Sequence, residues 1–223
     1  MAVDDKPMII VENLVKSYNS GRSHIINNLS LEIRKGEMII LHGSSGCGKT
    51  TLLNLIAGLD RPTSGKITID DTRIDEMTED EMARFRLLNV GFIFQDYNLI
   101  SDLTIFENVA LPLKLAGKKD LESARNLLKE FEIDKLSDQK ANSVSGGEAQ
   151  RAAIARAMAN NPKILLADEP TGNLDKWNEE NVMHYFKKIQ EDFNTTILLA
   201  THNENLSTFG TRIVSFKEID DKA

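Results

Sequence analysis

The chain has 223 residues, 41% hydrophobic and 27% charged, which suits one large soluble domain or one core with a smaller appended lobe. Its net charge of −7 argues against broad nucleic-acid binding, and a single cysteine, Cys47, excludes an intramolecular disulfide and a cysteine-built metal cage. No apolar run approaches a membrane span, and Met1-Ala2-Val3-Asp4-Asp5-Lys6 lacks the basic start and apolar stretch of a secretory signal, so the expected location is the cytoplasm.

In chain order, Met8 to Tyr18 reads as a strand broken by Asn19-Ser20-Gly21, and Ile25 to Ile33 alternates in its second half as a half-buried strand does. Lys35-Gly36-Glu37 then turns the chain into Met38-Ile39-Ile40-Leu41, a short apolar run that reads as a buried strand. This opening predicts an antiparallel β layer. The next residues, Gly43-Ser44-Ser45-Gly46-Cys47-Gly48-Lys49-Thr50-Thr51, fit the template G-x-x-x-x-G-K-[ST] at every fixed position. From Thr51 to Ala57 the chain favours a helix, which ends at Gly58. Strand, glycine loop and helix is the context the motif needs. The glycines let successive N–H groups point into one concavity, and the helix N-terminus adds its positive end. Lys49 then reaches the β- and γ-phosphates and the Thr50 hydroxyl ligates Mg²⁺, so the chain is expected to bind a nucleoside triphosphate.

Pro62-Thr63-Ser64-Gly65 is a predicted turn, and Lys66 to Asp70 alternates as an edge-type strand. Thr78-Glu79-Asp80-Glu81 carries a capping-box pattern and starts a helix through about Leu87. Val90 to Gln95 is a buried strand ending in a polar residue. From Asp96 to Asn161 β-like alternation disappears, and Leu121, Ala124, Leu127, Leu128 and Phe131 fall on one helical face. Gly147 to Ala159 also reads as a helix, so this middle stretch is expected to be an inserted helical lobe. Lys163 to Asp168 is a buried strand, 176–192 a helix, Thr196 to Ala200 a strand, and Arg212 to Phe216 one more strand. Buried strands alternating with helices predict a mainly parallel sheet with helices on both faces and its ligands at the carboxyl ends of the strands.

Two further groups carry chemistry. Asp168-Glu169 closes an apolar strand, where one carboxylate is placed to hold Mg²⁺ and the other to orient an attacking water. Ser145-Gly146-Gly147-Glu148 opens a helix and offers a second anion site through free N–H groups and a hydroxyl. Alone, that segment is an ordinary capped helix. Beside a phosphate loop it raises the question of why one chain carries two phosphate-type sites; a nucleotide held by another subunit answers it.

The order of these motifs resembles the nucleotide-binding domain of ATP-binding-cassette (ABC) proteins over nearly the whole chain. In that resemblance Ser145-Gly146-Gly147-Glu148-Ala149-Gln150 is the signature, Gln95 the Q-loop, Glu169 the catalytic glutamate, Asn173-Leu174-Asp175 the D-loop, His202 the switch histidine and Tyr18 the aromatic that stacks on adenine. The stretches Gly58 to Gly65, Gly91 to Gln95, Glu107 to Leu113 and Asp168 to Asp175 are similar to the macrolide-efflux and lipoprotein-release (MacB/LolD) branch.

The resemblance implies an α/β P-loop NTPase fold of RecA type. Its mainly parallel core comprises 1–95 and 162–223 with an N-terminal antiparallel layer, and 96–161 forms a helical subdomain. It implies ATP and Mg²⁺ as cofactors, with Thr50, Gln95 and Asp168 (through water) at the metal and Lys49, Gln95, Glu169 and His202 as catalytic residues. Two copies would sandwich two ATP molecules head to tail. Gly43 to Thr51 of one copy would hold the phosphates, Ser145, Gly146, Gly147 and Glu148 of the other would contact them in trans, and Asp175 would couple the subunits. The implied partner is an integral membrane permease handling lipid-like, peptide or drug cargo, which places the chain peripherally on the inner face of the cell membrane. A similar ATPase driving a non-transporting regulator is the alternative. A DNA-repair ABC ATPase would need a long coiled-coil insertion, a zinc motif or a basic track, none of which is present; a small-molecule kinase would leave the Ser145 segment unexplained. Departures are Glu148 where Gln is usual, Cys47 in place of Ser or Gly, and no Asp after His202; the tail also lacks the usual C-terminal glycine turn, which leaves the last strand's pairing open.

Overall fold

A computed structural model describes residues 7–18 and 23–216. The expected break at Asn19-Ser20-Gly21, the stretch Met1 to Lys6 and the tail 217–223 lie outside the described residues.

Two sheets organise the chain. In the first, β1 (Pro7–Tyr18) pairs antiparallel with β2 (Ser23–Arg34) on one side and β4 (Ser64–Ile69) on the other, and β5 (Thr72–Arg73) completes the order β2-β1-β4-β5. The second is wholly parallel, in the order β6 (Val90–Ile93), β7 (Ile164–Asp168), β8 (Thr196–Thr201), β3 (Met38–His42) and β9 (Arg212–Ser215). The pairing left open in the sequence is thus an edge position beside β3. The strand expected to start at Lys66 starts at Ser64, and it is internal. Asp70 and Asp71, with φ of 45° and 63°, turn the chain back so that Thr72–Arg73 covers its free side.

The parallel strands alternate between two cores. Met38, Ile40, Leu165, Ala167, Ile197 and Leu199 point to one side, while Ile39, Leu41, Ile164, Leu166, Leu198 and Ala200 point to the other. The first face is covered by α3 (Ile105–Leu115), α4 (Glu122–Glu130), α5 (Gly146–Met158) and α6 (Lys176–Phe193). The apolar face predicted around Leu121 to Phe131 belongs to this cluster. Helices were expected on the second face as well. There the structure places α1 (Lys49–Ile56), with Met82 of α2 (Glu79–Asn89), under the antiparallel sheet. The reason is area: β1, β2 and β4 present Ile9, Val11, Leu14, Ile26, Leu29, Ile33, Ile67 and Ile69 as one buried face that an eight-residue helix cannot cover alone.

The helix starts follow their caps. Thr78 and Glu81 form the predicted capping box, and Thr104 with Glu107 forms another at α3, each tying backbone N–H groups that the helix leaves unpaired. Register then sets the site. His42 lies level with Thr201, Asp168 with Ala200 and Ile93 with Ala167, so the residues that follow these strands share one edge of the sheet.

Candidate functional site

At that edge the loop 43–48 runs from β3 into α1. Gly46 and Gly48 hold φ of 80° and 114°, conformations that side chains strain to adopt. Gly48 caps α1 without any side-chain bond, and the first helical bond is Leu52 N–H to Gly48 carbonyl at 2.9 Å. The N–H groups of the first turn are therefore left for a ligand. Beneath the loop lies Phe216, 2% exposed; a Cβ on Gly43 would sit 3.2 Å from its Cβ, and one on Gly48 would sit 2.8 Å from its ring. Lys49 is 5% exposed, and its Nζ donates to the carbonyls of Gly43 (2.7 Å) and Ser44 (3.1 Å). Cys47 packs as a small filler, its Sγ 2.8 Å from where a Cβ on Gly43 would be.

Glu169 follows β7 with φ of 46°, held by its N–H bond to the Ala200 carbonyl at 2.9 Å. Its Oε1 lies 3.0 Å from Nδ1 of His202 and 3.7 Å from Nζ of Lys49, while its Oε2 accepts from the His202 N–H at 3.4 Å. Lys49 from the start of α1 thus meets Glu169 and His202 from the ends of β7 and β8. Asp168 is half-buried, and its Oδ1 has no hydrogen-bond partner. Burial raises its pKa; the Thr50 hydroxyl opposes this, and the Glu169 charge adds to it. An orphaned carboxylate oxygen beside a hydroxyl is a hard-oxygen donor set that fits Mg²⁺. Among the described residues no three His, Cys, Asp or Glu cluster to hold a metal, so a cation here would take the rest of its shell from phosphates and water.

Gln95 is exposed just beyond β6, and its backbone carbonyl accepts from Asn173 Nδ2 at 3.1 Å, which ties the turn after Glu169 to the segment after β6. Its amide nitrogen lies 3.2 Å from where a Cβ on Gly172 would be. Tyr18 ends β1 with its ring 43% exposed; its hydroxyl donates to Asp60 at 2.7 Å, and Lys16 Nζ stands 4.7 Å from the ring centre. Asp60 raises the phenol pKa, and a hydrogen bond with Thr51 places the ring at the start of α1.

The signature segment lies apart. Ser145 and Gly146 are exposed at the start of α5, and among the described residues none of the hydrogen bonds of Ser145 to Glu148 reaches the loop 43–51. Glu148 turns back on Ser145, accepting from its N–H at 2.8 Å and its hydroxyl at 2.7 Å, and these bonds lower its pKa. Neighbours press closely here. A Cβ on Gly146 would lie 3.0 Å from the Tyr97 hydroxyl, and one on Gly147 would lie 2.6 Å from Asn178 Oδ1. Asn178 is itself bound to Asp175, whose Oδ1 accepts its N–H at 2.9 Å as the cap of α6. Arg156 of α5 donates to the carbonyls of Tyr97 and Asn98, two left-handed residues just past Gln95.

Sequence reading missed Phe216 as the floor of the loop, Arg156 as the brace behind Gln95, and Glu179 behind the turn that follows Glu169. Nothing local marks them, because each acts across a long stretch of chain.

Comparison with known proteins agrees with this geometry. Residues 26–172 match the ABC transporter family model. The chain is 41% identical over 220 residues to "Uncharacterized ABC transporter ATP-binding protein MJ0796" of Methanocaldococcus jannaschii, covering 95% of this chain and 94% of that one. A structure of that cassette described as a dimeric post-hydrolysis state bound to ADP and Pi superposes with a TM-score of 0.86 at 39% identity, covering 93% of this chain and 94% of that chain. The lipoprotein-releasing system ATP-binding protein LolD of Buchnera aphidicola is 41% identical over 87% of both chains. The macrolide export ATP-binding/permease protein MacB of Mannheimia succiniciproducens is 40% identical over 96% of this chain, which spans 34% of that longer protein. With a glycine loop, a Lys49–Glu169–His202 meeting point and a separate signature helix in one fold, the chain belongs to the ABC transporter family as an ABC-type ATPase cassette.

Proposed function

We propose that two copies of this chain sandwich two ATP molecules head to tail and that hydrolysis reopens the pair. The observation that carries this reading is the division of phosphate-binding groups between two places. Gly43 to Thr51 gather with Glu169 and His202 at one edge, whereas Ser145 and Gly147 open α5 elsewhere. A second copy supplies the missing half. The dimeric MJ0796 cassette with ADP and Pi supports the same arrangement.

In each site the loop N–H groups and Lys49 bind the phosphates, and Tyr18 offers its exposed ring to the base. Thr50, Asp168 and Gln95 would hold Mg²⁺, which would supply positive charge to offset that of the phosphates. Glu169 orients the attacking water as general base, and His202, 3.0 Å from it, holds that carboxylate and the γ-phosphate in register. Across the interface Ser145, Gly146 and Gly147 contact the γ-phosphate. Glu148, an acceptor turned back on Ser145, acts by holding that serine. Asp175 couples the subunits through the cap of α6. Closure is stabilised by contacts that exist only with the triphosphate in place, so loss of the γ-phosphate shifts the population back to open.

Segment 96–161 acts as the helical subdomain on a core formed by 1–95 and 162–223. Among the described residues no helix is long and apolar enough to cross a membrane. The LolD and MacB relatives, the latter named as an ATP-binding/permease protein, support an integral membrane permease as partner and a peripheral place on the inner face of the membrane.

The test is Glu169→Gln. It should keep ATP binding, lower turnover by roughly 10²–10⁴-fold, the range for loss of a general base, and trap a dimer visible by light scattering only with ATP. Unchanged turnover removes Glu169 from its role, and a dimer indifferent to ATP contradicts the sandwich.

A further inference from the structure

The first turn of α6 reaches both ends of the Glu169–His202 pair. Glu179 is half-buried there, and its Oε1 accepts from the Thr171 hydroxyl at 3.2 Å and from Asn203 Nδ2. Thr171 is two residues beyond Glu169, in a turn closed by the Gly172 N–H to Glu169 carbonyl bond at 3.0 Å. Asn203 follows His202 directly. It is fixed twice more: its N–H donates to Thr201 Oγ1 at 3.0 Å, and its Oδ1 accepts from the Asn205 N–H at 3.0 Å. One carboxylate oxygen therefore ties down the backbone that follows each member of the pair. The need for a tie is visible at Glu169, whose φ of 46° is a conformation that persists only where surroundings enforce it.

We propose that Glu179 is a positioning residue for ATP hydrolysis, latching the turn after Glu169 to the turn after His202 so that their 3.0 Å pairing is set. This rests on the roles assigned above to Glu169 and His202. Glu179 acts through its neighbours, by hydrogen bonds to Thr171 and Asn203. The chemistry at 203 makes the latch reciprocal. An amide there donates to Glu179, whereas a carboxylate would set two acceptors of like charge against each other. The change Asn203→Asp also keeps an oxygen to cap the Asn205 N–H, so it strikes the latch and spares the neighbouring turn.

The test is steady-state ATPase kinetics and thermal unfolding of the full chain carrying Asn203→Asp, Glu179→Ala, or Glu179→Gln with Asn203→Asp. Asn203→Asp and Glu179→Ala should each lower kcat roughly ten- to hundredfold, the cost of misplacing a reacting group, with KM for ATP and the melting midpoint little changed. The paired change should restore most of the lost kcat, because the new amide donates to the new carboxylate. Wild-type kcat in Asn203→Asp, no recovery in the paired variant, or a loss of activity that simply tracks a loss of melting midpoint each overturns the latch. His202→Ala separates this from the reading beneath it. Full turnover in His202→Ala sinks the assignment of the pair, whereas an inactive His202→Ala beside a fully active Asn203→Asp sinks the latch alone.

Discussion

Replacing Asp168 by Asn should make the nucleotide-free protein more stable and less active. Asp168 Oδ1 is buried without a partner, and burial raises the pKa of the carboxyl, with the Thr50 hydroxyl opposing and the Glu169 charge adding. A group whose pKa is higher folded than unfolded favours the fold fully below its unfolded pKa, and that contribution is lost as pH rises through the folded value. At neutral pH the folded chain therefore carries a charge that it holds poorly. Asn removes the charge at nearly constant volume. The gain is about 1 kcal/mol, the lower end for an unsatisfied buried group, because the residue is only half-buried and water screens it. For a chain of this size that moves the melting midpoint by roughly 2–4 °C. Thermal unfolding of both proteins from acid to neutral pH, without nucleotide, measures it. The gap should grow with pH and close in acid. Hydrolysis should fall, since the substitution removes a carboxylate proposed to hold the cation. A variant less stable than its parent at neutral pH, or a gap independent of pH, would show that Asp168 is not held at a cost.

Two further substitutions probe the frame of the site. Phe216→Ala should cost about 3 kcal/mol, the lower end for a buried phenylalanine, and lower the melting midpoint by roughly 10 °C while weakening ATP binding, because the ring supports Gly43 and Gly48; unchanged nucleotide affinity would free the loop of its floor. Gly147→Ala gains about 0.5–1 kcal/mol of helix propensity but pushes a methyl to within 2.6 Å of Asn178 Oδ1 and shields the N–H proposed to meet phosphate, so ATPase activity should fall by roughly tenfold or more with little change in melting; wild-type kinetics would contradict the trans contact.

What could be read in the sequence was what short-range chemistry writes there. The loop 43–51 was legible because phosphate binding needs glycines, a lysine and a hydroxyl at fixed spacing, and Thr78 with Glu81 was legible because a cap acts over one turn. Strand order was not. The sheet runs β6-β7-β8-β3-β9, and nothing in the apolar run Met38 to Leu41 says that its neighbours are Thr196 to Thr201 and Arg212 to Ser215. The mistaken edge position of Lys66 to Asp70 has the same origin, since a two-residue strand leaves almost no pattern. The missing Asp after His202 read as a plain departure. It gains a physical reason only when Glu179, 24 residues upstream, is seen beside Asn203.

The two halves of the proposed sandwich also share a property that would bear on why ATP joins them. Two side-chain donors are already engaged within their own chain, Lys49 Nζ with the carbonyls of Gly43 and Ser44 and the Ser145 hydroxyl with Glu148, while the N–H groups of the first turn of α1 are left open. A hydroxyl has one proton, so Ser145 cannot donate to phosphate while it donates to Glu148. For these two side chains, binding phosphate exchanges one set of bonds for another, and the net gain from such an exchange is small. In the proposed sandwich, triphosphate would supply the charge to draw Lys49 and Ser145 away from these internal partners together, and this would make pairing conditional on the nucleotide.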